Sequence, residues 1–206
     1  LHPELPAGKA GYAALDLGSN NCRLLVAKPE PSGFRVIDAF SRIVRLGEGV
    51  AETGHLSDAA MARTLSALDV CAGKLRRRGV TRFRGVATAA CRLAGNCDAF
   101  LARASAEAGL DLEIIDGREE VSLALDSCSP LLEATASHAL IFDIGGCSTE
   151  LIWVRLADGA DHADGEDAEL RRAAGPEPGT GTQGCKTDAR GGGGAQKLTS
   201  CWWCLH

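Results

Sequence analysis

The chain has 206 residues, of which 45% are apolar and 24% charged, the balance of a folded globular protein rather than of a wholly disordered one. Its net charge of −5 offers no general attraction for nucleic acid, so no nucleic-acid partner is expected. The longest apolar runs, such as Leu24–Ala27 and Ala139–Phe142, fall far short of the roughly 20 residues of a membrane helix, so no membrane partner is expected either. No basic-then-apolar leader opens the sequence, which makes a cytoplasmic location the expectation.

Tyr12–Leu17 reads as a short strand ending in Asp16-Leu17, followed by the turn Gly18-Ser19-Asn20-Asn21. Arg23–Lys28 and Phe34–Phe40 continue as strands, with Pro29–Gly33 as a hairpin connection, and Arg42–Leu46 reads as one more strand before Gly47-Glu48-Gly49. Ser57 is the expected cap of a helix, because Met61, Leu65, Leu68, Ala72 and Leu75 recur at three- and four-residue steps. Gly79 ends it, after three arginines that suit the negative end of the helix dipole. A strand around Phe83–Ala87, a helix over about Asp98–Ala108 and a strand at Leu112–Asp116 follow. Another helix is predicted from near Gly117 and is interrupted by Pro130. Leu140–Ile144 and Glu150–Arg155 form a final strand pair around Gly145-Gly146.

Composition changes abruptly near Leu156. Residues 12–156 hold 36 Val, Ile or Leu, whereas residues 157–206 hold three Leu, no Val, no Ile and ten Gly. Such a segment cannot bury enough apolar surface to offset chain entropy, so a disordered, low-complexity tail is expected over 157–206. The nine cysteines read mostly as small buried thiols. Cys201-Trp-Trp-Cys204 has the C-x-x-C spacing but lacks a second Cys or His pair, which argues against a zinc site.

The chemistry lies in a repeated layout. Asp16-Leu17-Gly18-Ser19-Asn20 and Asp143-Ile144-Gly145-Gly146-Cys147-Ser148-Thr149-Glu150 each run from an apolar strand through Asp into a turn of small residues, 127 positions apart. One such turn alone is an ordinary hairpin. Two copies point to a pair of phosphate loops, because glycine permits close approach and backbone N–H groups converge on an anion. Asp16 and Asp143 stand where a hard cation such as Mg²⁺ would be held. Between the turns, Asp116-Gly117-Arg118-Glu119-Glu120 opens a helix. Glutamates are commonplace there for dipole reasons, yet beside a phosphate cleft a carboxylate is a candidate base for a water attacking phosphorus. Arg92, after Ala87-Thr88, is a candidate phosphate ligand or simply a solvated arginine; Arg23 and Arg45 are weaker candidates.

With Ala14–Asn20, Ala87-Thr88 and Arg92, Gly117–Glu120 and Ile141–Glu150 in this order, residues 12 to about 156 resemble the exopolyphosphatase/guanosine pentaphosphate phosphatase family, within the actin-like ATPase superfamily. The resemblance implies an α/β architecture: a ribonuclease-H-like, actin-type lobe (βββαβαβα) over 12–136, then the first strands of a similar second lobe over 137–156. Residues 1–11 would be an N-terminal extension. The implied reaction is Mg²⁺-dependent hydrolysis of the terminal phosphoanhydride of inorganic polyphosphate or guanosine pentaphosphate. Glu120 would activate water. Gly18, Ser19, Asn20, Arg92, Gly145, Gly146, Ser148 and Thr149 would bind phosphate, and Asp16, Asp143 and Glu150 would lie near the metal. Full-length relatives suggest a possible homodimer. Two departures stand out. Cys147 replaces the third glycine of the second loop, which is expected to tighten it or to restrict close backbone approach. The valine-free tail replaces the rest of the second lobe, as a truncated or out-of-frame C-terminus would. An actin-like kinase or ATPase, or a non-catalytic polyphosphate or guanosine tetra- or pentaphosphate binder, are the alternatives; the Glu119-Glu120 helix start favours the hydrolase.

Overall fold

The computed structural model describes residues 11–31, 33–132, 137–155 and 169–172. Residues 1–10 of the predicted N-terminal extension, most of the predicted tail and the Cys201/Cys204 pair lie outside these residues, and Gly11, expected to end the extension, instead opens the first strand. The chain separates into two compact units, Leu1–Glu120 with Gly145–Cys147, and Val121–Ile144 with Ser148–His206.

The first unit is built on a five-stranded mixed sheet. β1 (Gly11–Leu17), β2 (Asn21–Glu30) and β3 (Gly33–Ile43) form an antiparallel meander, and β4 (Val80–Ala87) and β5 (Glu113–Ile114) add in parallel beside β1, giving the order β3-β2-β1-β4-β5. Strict alternation along β1 buries Ala13, Leu15 and Leu17 and leaves Tyr12 and Ala14 outward. Opposite, Cys22, Leu24 and Val26 of β2 are buried.

Against that face packs α2 (Asp58–Arg78), which follows the four-residue α1 (Val50–Thr53). The five predicted apolar positions of α2 are all buried, as are Thr64, Ala67 and Cys71. Each fully buried leucine stabilises by about 1.5–3 kcal/mol, so this seam anchors the unit. Its ends are those read from the sequence. Ala60 N–H donates to Ser57 Oγ at 3.2 Å, and Gly79 closes the helix at φ 62°, a left-handed conformation that costs glycine little.

Beyond β4 come α3 (Ala89–Leu93) and α4 (Cys97–Arg103), the latter running into a π-helical turn at Ala104–Ala108, where a plain helix is predicted. α5 (Gly117–Cys128) starts in this unit and ends before a 3₁₀ turn at Ser129–Leu131 that contains Pro130. The expected strand Arg42–Leu46 does not exist as such: Arg42 and Ile43 finish β3, and the backbone then turns away. Val44 N–H and Arg45 N–H both donate to Asn20 C=O, at 2.8 and 3.0 Å, so these residues brace the first glycine turn rather than a neighbouring strand.

The second unit holds most of α5 and an antiparallel sheet of β6 (His138–Ile144), β7 (Thr149–Arg155) and β8 (Glu169–Arg172). Ile152 is its buried centre, beside Val121 and Ala124 of α5. β8 lies within the stretch predicted to be structureless. Its four residues pair with Glu150–Trp153 through backbone groups, which an antiparallel edge accepts from almost any sequence. Among the described residues no helix is long and apolar enough to cross a membrane.

Candidate active site

In the first unit the turns after β1, β4 and β5 leave the sheet at one edge, the carboxyl end of three parallel strands, where open α/β sheets bind ligands. The sheet ladder continues past the strands to hold these turns together: Thr88 N–H donates to Leu17 C=O at 3.2 Å, and Ile115 N–H to Ala87 C=O at 3.1 Å.

The Gly18–Asn20 turn is fixed by its acceptors. Asn20 C=O takes the two bonds from Val44 and Arg45, Ser19 C=O takes Gly47 N–H at 2.9 Å, and Gly18 N–H donates to Asn21 C=O at 2.9 Å. Among the described residues no hydrogen bond engages the N–H groups of Ser19 or Asn20, which leaves two donors for an anion. The buried Ser19 hydroxyl accepts the Ala90 N–H at 3.1 Å. Ala90 is the second residue of α3, whose own N-cap residue, Thr88, gives no side-chain cap; the cap comes from the turn after β1.

Gly146 packs directly on this turn, since a Cβ there would lie 3.0 Å from Asn20 Cβ and 3.1 Å from Asn20 N. Gly47 does the same for Cys147: a Cβ on Gly47 would stand 2.6 Å from Cys147 Sγ and 3.1 Å from Ser19 Cβ. The thiol that replaces the expected third glycine therefore occupies the space that Gly47 leaves open. Gly47 was not singled out as functional in the sequence; its clue was the turn Gly47-Glu48-Gly49.

Glu120 is the fourth residue of α5 and is buried, with only 7% of its surface exposed. Its Oε2 lies 2.8 Å from Arg92 Nη1, an ion pair by distance, yet no hydrogen bond of acceptable angle reaches that oxygen. Arg92 Nη1 instead donates to Ile115 C=O at 2.9 Å. The helix start is set by Asp116, whose Oδ1 accepts the N–H groups of Arg118 and Glu119 at 2.8 and 2.9 Å. Those bonds, that of Glu119 foremost, hold the Asp116 carboxyl below the usual carboxylate range.

Of the predicted site residues, Gly18, Ser19, Asn20, Arg92, Glu120, Asp16, Gly145 and Gly146 belong to the first unit. Asp16, the penultimate residue of β1, lies opposite Arg23 with Oδ1 buried. Ser148, Thr149, Asp143 and Glu150 belong to the second unit, where Asp143 and Glu150 are register partners across β6 and β7 and Thr149 pairs with Ile144. Among the described residues no three His, Cys, Asp or Glu side chains gather as a metal-ligand cluster. A mostly apolar hollow of about 430 Å³ lined by Tyr12, Leu25, Ala27, Lys28 and Phe34 lies toward the other end of β1. Sequence reasoning missed Arg84, which bridges Glu113 and Glu119.

The profile of the Ppx/GppA phosphatase family matches residues 25–161. Two structures of the Aquifex aeolicus Ppx/GppA phosphatase resemble this chain at 31% and 32% identity, with TM-scores of 0.62 and 0.63; each match covers 71% of this chain and 48% of that one. An exopolyphosphatase from Cytophaga hutchinsonii superposes with a TM-score of 0.69 over 79% of this chain and 50% of its own, and at 23% identity it speaks for the fold alone. The chain spans about half the length of these solved relatives. With its mixed α/β fold, its glycine turns and a family match over more than half of its length, the chain belongs to the Ppx/GppA phosphatase family.

Proposed function

We propose that this chain carries the catalytic edge of a phosphoanhydride hydrolase, releasing the terminal phosphate of inorganic polyphosphate or guanosine pentaphosphate. The observation that carries the reading is Glu120: a buried carboxylate with a cation alongside and an oxygen left without a hydrogen bond. A buried carboxylate oxygen of that kind is placed to accept a proton from a water.

In this reading the Ser19 and Asn20 N–H groups and the backbone at Gly145 and Gly146 hold the terminal phosphate, and Arg92 balances charge beside it. Glu120 orients the water in line with the scissile bond, takes its proton as the P–O bond forms, and the leaving phosphate chain departs with the bridging oxygen. The donor set suits Mg²⁺, a hard cation that takes oxygen ligands and needs only one or two carboxylates while keeping several waters. Asp16 would hold it in the first unit. When bound, the ion would offset charge on the phosphoryl oxygens. Location in the cytoplasm and homodimer formation belong to this reading as expectations.

The test is phosphate release from long-chain polyphosphate and from guanosine pentaphosphate, with and without Mg²⁺, for the wild-type chain and Glu120→Gln. Release that falls by about 100-fold or more in the variant, with binding retained, supports the reading. Binding without turnover in both proteins would make the chain a polyphosphate or guanosine-phosphate binder, and equal turnover in both would remove Glu120 from the mechanism.

A further inference from the structure

We propose that Arg84 is a positioning residue for Glu120, fixing the first turn of α5 against the end of β5. This rests on the reading of Glu120 as the base. Arg84 lies on β4, opposite Ala14 of β1, and its guanidinium spans two elements. Nε meets Glu113 Oε1 of β5 at 2.5 Å, and Nη2 meets Glu119 Oε1 of α5. The two partners lie 29 and 35 residues away in sequence, so the bridge is a tertiary tie.

Glu119 and Glu120 are neighbours on a helix, about 100° apart around its axis, and point in different directions. Glu119 is half-buried and bound by Arg84; Glu120 is buried and paired with Arg92 of α3. Arginines from two separate elements thus grip adjacent glutamates, and Asp116 caps the same turn through the N–H groups of Arg118 and Glu119. A single half-exposed ion pair adds little to stability. A planar fork held by two carboxylates on different elements adds something else, a fixed distance between them. Its two carboxylates, Glu119 first, also hold the Arg84 guanidinium more firmly protonated than usual.

Arg84→Lys decides the matter, because an ammonium keeps the charge but cannot replace the two-armed fork. The assay is Mg²⁺-dependent phosphate release from long-chain polyphosphate, alongside amide hydrogen exchange of α5. With Arg84→Lys, kcat falls by about 5- to 10-fold at a KM within about twofold, and exchange at Glu119–Val121 speeds up. Arg84→Ala and Glu119→Ala give similar losses, and the double variant is no worse than either, as expected if one residue acts through the other. Arg82→Ala, two residues along the same strand and exposed, changes neither readout. Wild-type kcat and exchange in Arg84→Lys would overturn the proposal, as would additive losses in the double variant. If the wild-type chain releases no phosphate, the reading of Glu120 fails on its own assay, and the exchange rates alone decide whether Arg84 holds the turn.

Discussion

Glu120 Oε2 and Arg92 Nη1 are 2.8 Å apart, close enough for a strong ion pair, while the directional bond of that same nitrogen goes to Ile115 C=O. The guanidinium is thereby locked to the backbone that leads into α5, and it supplies charge to Glu120 without occupying the oxygen's lone pair. Arg92→Ala removes both effects. Phosphate release is expected to fall by about 100-fold, and the uncompensated carboxylate costs on the order of 2 kcal/mol of stability. Arg92→Lys keeps the charge but loses the fork, and should retain more of both. Steady-state kinetics and urea denaturation check the pair; an Arg92→Ala protein with wild-type kcat/KM would sink it.

Two glycines in the site are there because nothing larger fits. An alanine methyl at 146 would press on Asn20 N and Cβ at 3.0–3.1 Å, and one at 47 would press on Ser19 Cβ and on the Cys147 thiol. Both shift the turn whose N–H groups are proposed to hold the anion. Gly146→Ala and Gly47→Ala are expected to weaken tripolyphosphate binding by about 10-fold, read by calorimetry. Cys147→Ala should recover part of the loss in Gly47→Ala, because the thiol is the nearest obstacle. Gly95→Ala is the comparison, with its nearest neighbour, His55 Nε2, at an ordinary 3.6 Å. Equal effects at all three positions would mean that packing, not the turn, is being measured.

The Ser19 hydroxyl is a helix cap supplied from a different element. Ser19→Ala leaves the buried Ala90 N–H without a partner, a cost of about 1–3 kcal/mol. The urea midpoint should drop with an unchanged m-value, and Arg92, two residues further along α3, should lose alignment, so kcat falls as well. Stability lost with kcat intact would separate the cap from the site.

What the sequence made legible was what repeats locally. The apolar period of α2, its Ser57 and Gly79 ends, the alternation of β1 and the helix start at Gly117 all appear in the structure, because each is set by neighbours within one or two turns. α3 was invisible, since five residues give no period. Arg42–Leu46 reads as a strand because Ile43, Val44 and Leu46 are apolar, whereas the N–H groups of Val44 and Arg45 go to Asn20, a partner over 20 residues away. For the site, the glycine turns, the Gly117–Glu120 helix start and Arg92 as a candidate could be read from the residues, and the choice of Glu120 came from the family resemblance. The Ser19 cap, the space that Gly47 leaves for Cys147 and the Arg84 bridge could not, because each joins residues that only the folded sheet edge brings together.

Asp38 provides a pH test that is independent of the site. It sits on β3 and joins two cations of α2, Lys74 Nζ at 2.6 Å and Arg78 Nε at 2.8 Å. Lys74 foremost, then Arg78, lower its pKa from the ordinary 3.8 to about 2. A carboxyl whose folded pKa is depressed favours the folded state fully above its unfolded value, and that contribution is lost as pH falls through the folded one. The Asp38 contribution is therefore constant above about pH 5 and fades between about pH 4 and pH 2. Half-exposure of Arg78 screens its part, so the whole is on the order of 1 kcal/mol. Asp38→Asn should lower the urea midpoint at pH 7 by that amount and match wild type near pH 2. A gap between the two proteins that stays constant down to pH 2 would show that Asp38 acts through packing, and that the charge tie between β3 and α2 adds nothing.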